Sequence, residues 1–314
     1  MRTLKGNSNF YTYEFTDILT QNLIRRFEYG LVEAGAYTNV TLTGSTSGFA
    51  NLQRTIDDSY GGVGRVYEGF GMSWVWETDY DVPSGYTTPI VASGVYVNNV
   101  FFPTATTSGT YAHKIEFRHG RVTFDTAIPA ASGVKCEYSF RDVDVLSTDD
   151  KRWKTVVQEY DKLYEHIGPT QPSGLASILK ENRVWLPSIF IDVSNNTLKP
   201  LQLGGGEIAN CTVRYTCLAE KGFVRNRLVD TINNQYSTVI SLFDSNKVPR
   251  SYNYDGSLYP SGVSYPTASN RYGPYFWSFC LIEQTHVNKI NPMIDIYAGE
   301  VVQNMSVSRH GNTY

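Results

Sequence analysis

Cysteine, charge and long apolar runs are all scarce in this chain, and each scarcity excludes a class of protein. The four cysteines among 314 residues, Cys136, Cys211, Cys217 and Cys280, form no C-x-x-C pair. That excludes a disulfide scaffold and a thiolate zinc ribbon. Cys211 and Cys217 share a face if their segment is a strand, but six residues of strand hold them too far apart to bond. Four buried, reduced thiols are expected. Charged residues make up only 18% of the chain and the net charge is −3, so no basic field marks a general DNA binder. No apolar run reaches the ~18 residues of a membrane span. The opening "MRTLKGNSNFYTYEF" lacks the apolar core of a secretion signal, so synthesis and assembly in a cytoplasm are expected.

Motifs with chemistry are also missing. The triplet Gly204–Gly206 is followed by a strand pattern, whereas a phosphate loop needs a Lys-Ser/Thr and a helix opening directly behind the glycines. A Rossmann turn needs that helix too. "GGVGRVYEGFG" (Gly61 to Gly71) is an equally loose match. The five histidines, His113, His119, His166, His286 and His310, form no H-E-x-x-H or H-x-H. His113 and His119 stand about 20 Å apart if they share a strand. No G-x-S-x-G occurs, and Cys136 reads as a core thiol rather than a nucleophile beside His119. "RDVDVLSTDDKR" reads as a linker whose Asp149 and Asp150 favour a helix start. No metal, no cofactor and no enzymatic activity are expected.

Aromatics, by contrast, are abundant: 23 Tyr, 15 Phe and 5 Trp. Tyr suits strands and contact surfaces, because it buries a ring and keeps a polar tip. The first periodic segment is "TDILTQNLIRRFEYGLVEAGAY". Ile18, Leu19, Leu23, Ile24, Phe27, Leu31 and Val32 make a helical stripe, with Thr16 as cap, Asp17 in the first turn and Gly35 closing it. "TNVTLTG" and "MSWVWETDY" read as strands. A second helix spans "DDKRWKTVVQEYDKLYEHIG". A third spans "VRNRLVDTINNQYSTVISLFD", with Leu228, Val229, Ile232, Tyr236, Val239, Ile240 and Phe243 as its stripe. Between them, "LPSIFIDVS" and "EIANCTVRYTCLAE" are strands. In the latter Ile208, Val213, Tyr215 and Cys217 share a face, and Cys211 joins them through a slip or bulge. Two strands, "YFWSFCLIEQTHV" and "MIDIYAGEVVQNMSVSR", close the chain.

Residues 83–145 have a different texture. They alternate with period two through "GVYVNNVFF", which reads as one strand, a hairpin "HKIEFRHGRVTFD" turning at His119-Gly120, and "GVKCEYSFRDVDV". The fold class expected is α+β: an antiparallel sheet with packed helices, formed by residues 1–82 and 146–314, with a small antiparallel β-sandwich inserted at 83–145. A loop over residues 246–274 carries Tyr252, Tyr254, Tyr259, Tyr265 and Tyr272, and Tyr275 follows it. Loops this long are functional or disordered, and Tyr with Ser, Gly and Asn is contact chemistry. Flexibility in the free subunit and order against a neighbour are expected.

The stretch "LPSIFIDV…LQLGGGEIANCTVRYTCLAEKGFVRNRLVDTINNQYSTVISLFD" resembles the core of tailed-bacteriophage tail-terminator and neck-completion proteins. These have a Pro-led strand, a turn, a strand and a long helix. "ILTQNLIRRFEYGL" resembles their opening helix, which packs on the same sheet. The pattern covers about half the chain, and the insert and Tyr-rich loop depart from it. The resemblance implies a homo-oligomeric ring, commonly hexameric, at the head-proximal end of the tail. Its partners would be tube and neck proteins, DNA would pass its lumen without specific binding, and it would reside in the virion. Arg214, Arg225 and Arg227, beside the third helix, are then candidate subunit contacts together with the six tyrosines. Two other readings stay open: another virion role (collar, baseplate, capsid decoration), and a carbohydrate- or receptor-binding module using the sandwich and the tyrosines.

Overall fold

The computed structural model describes residues 13–55, 63–104, 106, 108–150, 152–153, 184–202, 206–249, 263–288 and 296–310. The second expected helix, beyond Trp153, lies outside them, as do Tyr252, Tyr254 and Tyr259. Helix α1 (Phe15–Glu33) buries the expected stripe, including Leu19, Leu23, Phe27 and Val32. It begins two residues earlier than a cap at Thr16 would place it. Glu14 is the N-cap, and its N–H donates to the Asp17 carboxylate at 3.4 Å. Gly35 closes the helix as expected, with Ala36 N–H donating back to Leu31 O at 2.9 Å.

The chain then makes a β-rich excursion. Its strands are β1 (Tyr37–Val40), β2 (Gln53–Arg54), β3 (Val66–Glu68), β4 (Gly94–Val97), β5 (Val100–Pro103), β6 (His113–Glu116), β7 (Arg121–Phe124), β8 (Val134–Lys135) and β9 (Tyr138–Arg141). They form three small sheets, ordered β1-β9, β2-β3-β7-β6 and β5-β4-β8. Pairing therefore crosses residue 83: β3 lies against β7, and β1 against β9. The expected boundary at 83 is too late. The excursion opens at Ala36 and closes where Asp142 N–H donates to Ala36 O at 3.0 Å, so its two ends meet.

Within it, three local expectations change. "GVYVNNVFF" is a hairpin, not one strand, because Asn98 and Asn99 adopt φ of 51° and 66°, the left-handed pair of a two-residue turn. The expected strand at Trp74 reduces to one bridge with Phe140. Trp74, Val75 and Trp76 are all buried, so no face is left to alternate. "GVKCEYSFRDVDV" breaks into β8, β9 and β10 (Asp144–Ser147). The 113–125 hairpin holds, with Ile115 opposite Val122, but its turn takes in Phe117 to Gly120. Gly120 has φ +62°, and a Cβ there would lie 2.2 Å from Gly71 O, so only glycine fits.

The main sheet has six strands, ordered β10-β11-β12-β15-β14-β13. They are β10, β11 (Ser188–Gln202), β12 (Gly206–Ala219), β13 (Val239–Phe243), β14 (Phe276–Asn288) and β15 (Tyr297–His310). Only β10–β11 is parallel. Helix α2 (Gly222–Asn233) connects β12 to β13, and the short α3 (Tyr265–Ala268) precedes β14. The third expected helix is thus too long: it stops at Asn233, Ser237 turns the chain with φ +59°, and Val239, Ile240 and Phe243 belong to a strand. The β-branched run Thr238-Val239-Ile240 favours that strand. The last part of the expected loop is also structured, since Val263 and Ala268 pack on Phe243 and Val248.

In β12, Ala209, Cys211, Val213, Tyr215 and Cys217 alternate regularly toward the helices. No slip is needed at Cys211. Ile208 points to the other face, and the bulges lie in β11, near Ser194 and at its end. α1 and α2 both pack on this face, where the Phe27 ring meets Tyr215 edge-on at 5.5 Å. Each buried ring or aliphatic side chain contributes about 1.5–3 kcal/mol. The architecture is mixed α and β, mostly strands, in predominantly antiparallel sheets.

Candidate assembly surfaces

Among the described residues, little covers the face of the main sheet away from α1 and α2. Its upper end is covered by a small cluster, Leu146, Phe190, Leu218 and Ala298, with Trp153, Val184, Leu186 and Ile296 against it. Below that cluster the pairs between β11, β12 and β15 are mostly polar, as in Thr197 with Asn210, Thr212 with Asn304 and Asn210 with Ser306, whereas toward β13 the face exposes Val239, Phe279 and Leu281. Paired residues share a face. The charges there are few: Asp192, Lys199, Arg214 and Glu300 by register, and Glu283, at the β14 bulge, which accepts from Ser306 Oγ. Arg214 is neutralised by Glu300, with Nε 2.8 Å from Oε1. An antiparallel sheet packed on one side and polar on the other is half a solvated layer.

Among the described residues the sheet also has open edges. β10 pairs with β11 only from Ser188 to Ile191. Among the described residues, no strand lies on the outer side of β11 below that point, and Ser194, Asn196, Thr197, Leu198 and Lys199 are exposed. At the far edge, β13 is closed at its end by a side chain. Asn22 of α1 donates to Phe243 O and accepts from Phe243 N–H, both at 2.8 Å. An amide thus occupies the place of a strand there, a known way to blunt an edge. Val239, further back, is 59% exposed.

Between α1 and α2 runs a groove of about 800 Å³, lined by Phe27, Gly30, Leu31, Val224, Arg227 and Leu228 among others. The three arginines expected to act together do not converge. Arg214 lies on the bare face and Arg227 on the groove. Arg225 is an internal staple: its Nη1 donates to Ala298 O at 2.6 Å, and its stem lies so close to Gly299 that a Cβ there would be 2.8 Å from Arg225 Cδ. The described tyrosines divide similarly. Tyr265 meets the Tyr29 ring at a tilt and Tyr275 packs against the cluster of Phe243 and Val248, whereas Tyr272 is 82% exposed with Arg271 over its ring.

A buried charge network, which no local pattern announces, fastens the excursion to the core. Arg25 of α1 meets Glu77 at 2.8 Å, donates to Val263 O at 3.1 Å, and lies over Trp76 and Phe243. Glu77 accepts in turn from Tyr265 N–H at 2.9 Å. Arg118 reaches Glu28 at 2.7 Å and Asp144 at 3.6 Å, and Arg152 bridges Asp144 and Asp150 at 2.7 and 2.9 Å. Burial raises the Asp150 carboxyl, but the Arg152 hydrogen bonds and charge outweigh it and hold the group down at about 2.

Among the described residues no group of three His, Cys, Asp or Glu is placed to hold a metal. His113 is buried with Nδ1 2.9 Å from Tyr111 O, and His119 sits at the hairpin turn beside Glu116. All four cysteines are free and buried. Burial pushes the Cys211 and Cys217 thiols up to about 12, and Cys136 and Cys280 also well above their usual value. Gly206 opens β12, so a strand does follow the glycine triplet, whose first two members lie outside the described residues. No described helix is long and apolar enough to cross a membrane. No protein-family model matches the chain, and no curated protein matches it significantly.

Proposed function

We propose that this chain is a structural protein of a tailed-phage virion, one subunit of a ring at the neck or the head-proximal end of the tail. There it ends the tail tube and joins it to the head connector. The observation that carries the reading is the order and packing of the core: α1 on the sheet, then a Pro-led β11, a turn, β12 and α2 on the same face as α1. This is the arrangement that the resemblance implies, apart from the shorter helix. The bare polar face and the open edge of the sheet support an assembling role over a catalytic one. The excursion at residues 37–141 is the accessory part of the subunit, the sandwich-like insert, and it faces neighbouring virion proteins. The few charges of the bare face, where Arg214 is paired with Glu300, suit a protein that DNA must pass without being gripped. The ring works without cofactor, metal or membrane, and is put together in the host cytoplasm. Native mass measurement of the purified chain tests the proposal. A discrete closed oligomer, six copies by the resemblance, is the expected result. A monomer or trimer retained on a glycan column would replace it with the receptor-binding reading.

A further inference from the structure

We infer that the ring contact is a parallel strand pairing in which β13 of one copy lies along the lower part of β11 of the next. The inference rests on the ring-forming reading and names the surface that makes the ring. It comes from the registers. Val239 stands opposite Leu281, Leu281 opposite Ser306, Ser306 opposite Asn210, and Asn210 opposite Thr197. The open stretch of β13 and the open stretch of β11 are therefore at one level, on opposite edges of one sheet. Four antiparallel steps separate them, so both strands run the same way. Copies related by rotation about a ring axis keep that direction, which makes the contact parallel, head to tail and able to close. The upper part of β11 already accepts β10 in that sense. Each edge also exposes a large apolar side chain at this level, Leu198 at 51% on the helix side of the sheet and Val239 at 59% on the bare side. Asn22 confines the contact on β13 to the residues before Phe243, so the pairing is short and its position defined.

Thr197 and Val239 share the bare face, both are exposed, and neither is held by a charge. In the double variant Thr197→Cys/Val239→Cys, an added oxidant should give a ladder of covalent multimers ending at the ring size. Each single variant should stay uncrosslinked, since the native thiols are buried. As a second measurement, Thr197→Glu/Val239→Glu should lower the ring population at least tenfold, and Thr197→Lys/Val239→Glu should restore it. Rings that form by native mass yet give only monomer on the gel, and that ignore both charge variants, would overturn the edge contact and leave the ring reading standing. Monomer at all concentrations of the wild type would overturn both.

Discussion

Arg25 is where the fold can be tested most sharply. Replacing it with Met keeps helix propensity and most of the stem, but strands Glu77. That carboxylate is 4% exposed and would retain the hydrogen bond from Tyr265 N–H. Breaking one side of a buried pair costs about 3–5 kcal/mol, because a charge remains without its counter-ion. At roughly 2–3 °C per kcal/mol for a chain of this size, Arg25→Met should lower Tm by about 6–15 °C. The double variant Arg25→Met/Glu77→Gln removes the charge and keeps an acceptor for Tyr265 N–H. It should recover most of the loss, leaving a coupling of about 2–3 kcal/mol in the cycle. Thermal melts at one fixed protomer concentration measure this, since assembly makes Tm concentration-dependent. A single variant that melts within 2 °C of the wild type, or a cycle with no coupling, would refute the claim that this pair fastens the excursion to α1.

Excising residues 83–145 should abolish folding, since it removes the first half of β10 together with β9 and β7, the partners of β1 and β3. Excising 37–141 and joining Ala36 to Asp142 by a short linker should keep the sheet signal in circular dichroism. Asp150→Asn should cost about 2 kcal/mol at neutral pH. The sign follows from a folded carboxyl held below its unfolded value: the stabilisation is present above pH ~4 and vanishes as pH falls toward 2, so denaturation curves of the two proteins should converge in acid. Purified protein should show no duplex binding at physiological salt, and tight salt-sensitive binding in a gel-shift series would make Arg214 and Lys199 phosphate contacts instead.

Much of the core could be read locally. The α1 stripe has a 3.6 period over five turns, β11 follows a proline, and β12 alternates from Ala209 to Cys217, so tertiary context had nothing to override. The failures share a physical cause. β1 pairs with β9 about a hundred residues away, so the excursion's opening at Ala36 leaves no local mark. Trp74 to Trp76 are covered on both sides, which erases alternation. Val239, Ile240 and Phe243 fit a helical stripe and a strand equally well over so short a window, and the turn at Ser237 decides. Arg225 looked like a surface contact because the glycine it lies against is far along the chain, at Gly299. The edge-capping role of Asn22 depends on Phe243, which is equally remote. The charges of Arg25, Glu77, Arg118 and Asp144 carried no spacing by which to pair them.

The central claim is that copies of this chain close on themselves around an opening. End-on images of the purified oligomer by electron microscopy measure that directly. The account predicts a closed ring with rotational symmetry, six-fold by the resemblance, and a central lumen wide enough for a duplex. Open filaments, compact particles without a lumen, or a protein that stays monomeric at assembly concentrations would contradict it.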